Sequence, residues 1–267
     1  MYVLACPRQR LIESTALLSR FAVRLLILPS PFRLACPVMT NSALSFRRWA
    51  VILAAALSGI IVLVSMFADP VPGAEGRELI QGYAVNEGRQ GLHTNLIHYG
   101  FALFAPVAYG MVGLVRRRGG WIANVAGLFA IIGLSTLPGL VLTDYVLVGV
   151  EHVAGLDAAV NAEAATEGLP GFTALGVPAI LASVLAVAVA TLALWRAGLV
   201  RWWLPVVAAA TFLAPNLLPG WLIGFSVMAA GMLTVAWALS RIPENVWHPG
   251  SRSELIGATD QRPPVPT

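Results

Sequence analysis

Six long, nearly uninterrupted apolar runs, at roughly 49–67, 95–115, 121–143, 173–195, 203–218 and 221–240, leave this chain few ways to fold. About 20 apolar residues are enough to cross a bilayer as a helix. With no water inside the membrane, backbone groups must be satisfied within the segment or by a closed barrel. The runs are continuous rather than alternating, which selects helices. The expected architecture is therefore all-α, an integral membrane bundle of about six transmembrane helices. Charged residues make up only 11% of the 267 residues, against about a quarter in a soluble domain, so the main partner is the lipid bilayer. The fifth run is the weakest. Pro205 and Pro215 interrupt it, and "APNLLPG" at 214–220 is punctuated like a turn, which leaves a complete or a re-entrant helix open.

Orientation follows from arginine. Arg47 and Arg48 precede the first run, Arg116 to Arg118 join the second and third, Arg196 and Arg201 join the fourth and fifth, and Arg241 follows the sixth. All fall on one side, which the positive-inside rule makes cytoplasmic. The segment 68–94 and the segment after the third run are acidic on balance and fall on the other side. Both termini are thus expected in the cytoplasm and the protein in the inner (plasma) membrane. All 17 basic residues are Arg, and small apolar residues abound, as in GC-rich bacterial genomes. The net charge of +4 is not gathered into a basic stripe with interleaved aromatics, so no nucleic-acid partner is expected. A homo-oligomer or a membrane partner stays open.

Three regions are expected: 1–38, 39–242 and 243–267. The first is basic, and Arg20 and Arg24 split its apolar run. It reads as an in-plane amphipathic helix, as a targeting segment, or as an upstream extension with translation starting at Met39. The second region is the transmembrane domain. The third, polar and proline-rich, reads as a disordered cytoplasmic tail.

The stretch "GLHTNLIHYG" at 91–100 carries two of the four histidines beside an apolar run. At about 100° per residue, His93 and His98 point some 140° apart. His98 shares a stripe with Asn95, Ala102, Ala105 and Tyr109, a small and polar face expected to look into the bundle. On the third run, Asp144 and Glu151 share a face, followed by His152, and Pro138-Gly139 is expected to kink the helix. At ~1.5 Å per residue, His98 lies roughly 27 Å from Arg116 and Asp144 roughly 39 Å from Arg118. Both therefore belong to the outer part of the membrane. The candidate site is a polar cluster of His93, Asn95, His98, Tyr109, Asp144, Glu151 and His152, with His98 the expected partner of Asp144. Ionisable groups at such depth suit proton or solute handling in a transporter or proton-coupled permease component. Imidazole with carboxylate also suits metal or haem ligation in a membrane enzyme or redox subunit. A third role is structural, with interfacial groups pairing and capping helix ends. Neither a cofactor nor a catalytic residue is assigned by the pattern.

Enzyme signatures give no further lead. "GFSVMAAG" at 224–231 lacks the glycine directly after serine that an intramembrane serine protease needs, and no later span carries a histidine. There is no HExxH and no CxxC, and Cys6 and Cys36 form no metal-type pair. Gly110, Gly113, Gly127, Gly133, Gly220, Gly224 and Gly231 suit close helix packing. Trp49, Trp121, Trp195, Trp202, Trp203 and Trp221 fall at run ends, where an interfacial belt belongs.

Overall fold

The computed structural model describes residues 41–116 and 118–247, and these are helical with short connections. The N-terminal region 1–38 and the tail beyond 247 lie outside the described residues. Five helices are long and apolar enough to cross a membrane: Ser45–Ala68, Glu87–Val112, Gly120–Ala154, Pro170–Arg196 and Trp221–Ser240. The fifth expected run forms the shorter apolar helix Trp203–Leu217. Its 15 residues span about 22 Å, short of a hydrocarbon core of about 30 Å. Pro205 sits in its first turn, where the missing N–H has no intrahelical partner to lose, and Pro215 in its last. The helix therefore carries both prolines and turns only after Leu217.

In chain order, α1 is Asn41–Ala68, α2 Gly76–Val85, α3 Glu87–Ala102 and α4 Phe104–Val112. The third span is built from α5 (Gly120–Phe129), a π-helical turn at Ala130–Leu134, α6 (Ser135–Val141) and α7 (Thr143–Ala154). Then follow α8 (Leu156–Glu167), α9 (Pro170–Arg196), α10 (Trp203–Leu217), α11 (Trp221–Ser240) and the short α12 (Glu244–Trp247). Two acidic connections expected as loops contain the helices α2 and α8. Of the expected tail, Glu244–Trp247 is helical and Trp247 is buried in the core.

Periodicity explains how α1 divides its faces. Val51, Ala55, Ser58, Val62 and Ser65 are buried at three- and four-residue intervals, whereas Leu53, Leu57, Ile60, Val64 and Phe67 form an outward stripe. Apolar side chains this exposed, repeated on the other spans, suit contact with acyl chains. Hydroxyls within the spans are satisfied locally: Ser58 donates to the Ala55 carbonyl and Thr191 to that of Ala188. Such bonds keep these hydroxyls from standing bare in hydrocarbon.

The helices close into a ring in sequence order. α1 meets the second span where a Cβ on Gly100 would touch Val62, and meets α11 where a Cβ on Gly59 would lie 2.9 Å from the Ala229 Cα. α6 packs on α3, α5 on α9, α9 on α10, and α10 on α11. The middle is filled, with Phe104 and Phe212 meeting edge to face at 5.0 Å, beside the buried Val107, Met111 and Met232. At one end Arg48 donates to the carbonyl of Ser240 at 3.0 Å, so the start of α1 and the end of α11 lie together. Arg196 lies against Gly119 at the same end of the third and fourth spans.

Candidate functional site

The opposite end of the bundle carries the ionisable groups. The third span has 35 residues and would reach about 52 Å, so its last turns stand beyond a bilayer core of about 30 Å. Two short helices pack there. α2 and α8 touch each other and both contact or adjoin α7, with Ile80, Tyr83 and Ala159 buried between them and the bundle. An exposed ion pair of Arg77 with Asp157 joins α2 to α8.

Under this cap, a polar strip from α3 faces inward. Gln90, His93 and Thr94 are buried at 2%, 6% and 0% exposure, side by side on one face, and they open toward α1 and α7. The His93 Nδ1 lies 2.8 Å from the carbonyl oxygen of Ser65, at the end of α1. A carbonyl only accepts, so Nδ1 carries the proton and donates, leaving Nε2 for other chemistry. Gln90 Nε2 donates to Thr94 Oγ1 at 3.0 Å, and Thr94 is in turn a hydrogen-bond partner of Asp144. His93 is the basic group whose charge Asp144 feels, with Asp69 and Glu163 the other carboxylates in range. The Tyr83 ring packs 6.2 Å from the His93 ring. The site thus runs Gln90, Thr94, Asp144, His93, Ser65 carbonyl, with Tyr83 as its roof.

Burial pushes the Tyr83 phenol above its ordinary value, and the nearby charges of Asp69 and Asp144 push the same way. The folded state therefore favours the neutral phenol. Its stabilising contribution is complete below the unfolded value of about 10 and is lost as pH rises toward the folded one. Melting temperature in detergent is expected to fall above about pH 10, and Tyr83→Phe to remove part of that fall. An unchanged alkaline limb in the variant would count against this placement. On α8, burial and then Glu167 raise the Glu163 carboxyl, a like-charge pair one helical turn apart.

His98 occupies a different place. Its Nδ1 lies 2.8 Å from the carbonyl of Pro138. That carbonyl is free because the helix breaks at Leu142, whose N–H turns to Gly139 at 3.2 Å instead of to Pro138. The imidazole N–H satisfies the orphaned acceptor, so His98 pins the break between α6 and α7. His98→Ala is expected to cost about 1–2 kcal/mol in urea unfolding by stranding that carbonyl, and a loss under a few tenths would refute the role.

The seven residues singled out from sequence are not gathered into one cluster. His93 lies within electrostatic range of Asp144, while His98 faces Pro138. His152 forms a third group, its Nε2 3.4 Å from Glu87 and 3.6 Å from Glu151, where α7 ends and α3 begins. These groups are largely solvent-facing and add little stability. Asn95 and Tyr109 are exposed. The inward face of the second span runs through Gln90, His93, Thr94, Gly100, Phe104, Val107 and Met111, so the stripe through Asn95, His98 and Tyr109 is not the core stripe. The imidazole within electrostatic range of Asp144 is that of His93, where His98 was expected. The cause is the helix start: α3 begins at Glu87, two turns before 95, and those turns supply Gln90, His93 and Thr94. Among the described residues, no three His, Cys, Asp or Glu side chains converge as a metal site would require. Comparison of the chain with protein-family models, with curated proteins and with solved structures finds no match.

Proposed function

We propose that the protein is a six-span bacterial inner-membrane protein, with both termini in the cytoplasm, that binds and releases a proton at its periplasmic end through the pair Asp144 and His93. One observation carries the reading: a half-buried carboxylate on the third span lies within electrostatic range of a buried imidazole on the second, Thr94 bonding the one and the Ser65 carbonyl the other. Two such groups, each feeling the other's charge, have linked protonation states. Thr94 and the Ser65 carbonyl fix their orientation, and Tyr83 limits access from above. The arrangement suits a proton-coupled permease component, because the π-helical turn, Pro138 and the break at Leu142 form a discontinuous helix leading to Asp144. Broken helices beside ionisable groups are how transporter spans build their sites, and the π turn is a further departure of the kind found at functional positions. Among the described residues no three ligand side chains converge, so the metal reading finds no donor set there.

The six-span topology is supported by the short helix α10. Residues 199–204 before and in its first turn and residues 237–241 at the far end of α11 line one cleft, so α10 and α11 run out and back to the arginine end. Arg48 against Ser240 brings the start of α1 beside the end of α11, which supports the reading of an even number of crossings.

The test is spectroscopic and needs no known substrate. In nanodiscs, the ¹⁵N imidazole shifts of His93 and the infrared carboxyl band of Asp144 are followed across pH. The carboxyl band is expected to change with pH in a way that His93→Gln alters, and the imidazole shifts to differ in Asp144→Asn. A carboxyl band that pH or His93→Gln leaves unchanged, or imidazole shifts that Asp144→Asn leaves unchanged, overturns the proposal.

A further inference from the structure

Away from the polar strip, at the arginine end, the molecule has a cleft of about 410 Å³, within the roughly 300–1,000 Å³ typical of small-ligand sites. Its floor is apolar, made by Leu199, Val200, Leu204 and Ala238, and its rim holds Arg201, Trp203, Trp237 and Arg241. The two indoles stack at 6.4 Å with only 26° between planes, and the Arg241 guanidinium sits 5.4 Å above the Trp237 ring. Two cations therefore border one apolar recess.

The location narrows the occupant. Arg201 and Trp203 open α10, while Trp237 and Arg241 close α11, so the cleft lies at span ends, the level of lipid headgroups. Trp237 is 53% exposed on the outside of the bundle, so the recess opens sideways toward lipid as well as toward water. A phosphodiester with acyl chains meets every feature: the phosphate takes the two guanidiniums, the glycerol lies over the indoles, and the chains follow the apolar wall. A soluble phosphate would use only the first. The geometry points to a site for one anionic phospholipid headgroup, of the phosphatidylglycerol type, held by Arg201 and Arg241 between α10 and α11.

The full chain in neutral detergent is titrated with fluorescent-acyl phosphatidylglycerol, read by anisotropy, and with the phosphatidylcholine analogue. Saturable binding is expected for the anionic lipid, weakened by salt and roughly thirtyfold weaker in an Arg201→Gln/Arg241→Gln double variant, at the usual strength of a basic residue near anionic lipid. Arg201→Lys/Arg241→Lys should keep most of it, and Arg116→Gln/Arg118→Gln, equal in charge lost but outside the cleft, should bind like the parent. Equal binding of phosphatidylcholine overturns the proposal, as does binding by the parent that salt leaves unchanged. So does an equal loss in the Arg116/Arg118 control. Displacement of the lipid by millimolar glycerol phosphate alone would mark a soluble-phosphate site and overturn the lipid assignment.

Discussion

Gly133→Val is expected to cost about 3 kcal/mol or more and to lower the melting temperature sharply, near the upper end of overpacking effects. A Cβ at this position would fall on the backbone of Ala182 and Ser183 in α9. Backbone in a packed helix cannot rotate away as a flexible side chain does, so the third and fourth spans would have to separate. In a bilayer that matters doubly, because helix association rests on close dispersion contact rather than on hydrophobic burial. Gly127→Val is the control. It lies on the same span, yet its nearest foreign atom is Val112 Cγ1 at 3.9 Å, and a change within about 0.5 kcal/mol is expected. Urea unfolding of both variants in mixed micelles makes the comparison. Similar losses in the two would show that the π turn tolerates a side chain and that the close approach is not what holds the spans together.

The second large effect concerns the polar strip. His93→Ala should destabilise by about 3 kcal/mol, since it strands the Ser65 carbonyl and leaves Asp144 without its basic neighbour. Asp144→Asn alone should cost less, because the amide can still accept from Thr94. In the double variant the losses should fall short of their sum by about 1–2 kcal/mol, the coupling of residues that share one network. The same cycle run on His98 and Asp144 is expected to be additive, as His98 bonds the Pro138 carbonyl. Additivity for His93 with Asp144, or strong coupling for His98, would return the site to the arrangement expected from sequence.

That contrast shows what the sequence made legible. Continuous apolar runs are a physical necessity for a helix in lipid, and the five long apolar helices are found where such runs lie. The acidic connections were harder to read, because α2 and α8 are short and weakly apolar and gain their stability from packing on the span ends, not from their own pattern. For the same reason the apolar run marks the start of α3 two turns too late, which leaves Gln90 outside the stretch read from sequence. A seven-residue step back from Gly100 reaches His93 and a further three reach Gln90, which was the available signal. The side of the second span that faces inward was also misread. In lipid, a stripe with Asn95 and Tyr109 and a stripe with Gln90 and Thr94 are equally polar on paper, and only the neighbouring helices distinguish them. Close-packed glycines were partly legible: Gly110, Gly133, Gly224 and Gly231 meet other helices, but Gly220 faces open space, and Gly59 and Gly100, which do make contacts, were not singled out.

The bond from Arg48 to the Ser240 carbonyl, together with Gly59 lodged against Ala229, makes the earliest and latest spans lateral neighbours. During synthesis α1 reaches the bilayer long before α11 exists, so its glycine notch waits, facing lipid, until the last hairpin arrives. Assembly of this ring is therefore a late event, and a chain halted before Trp221 would carry an unmated seam that membrane proteases and chaperones could detect.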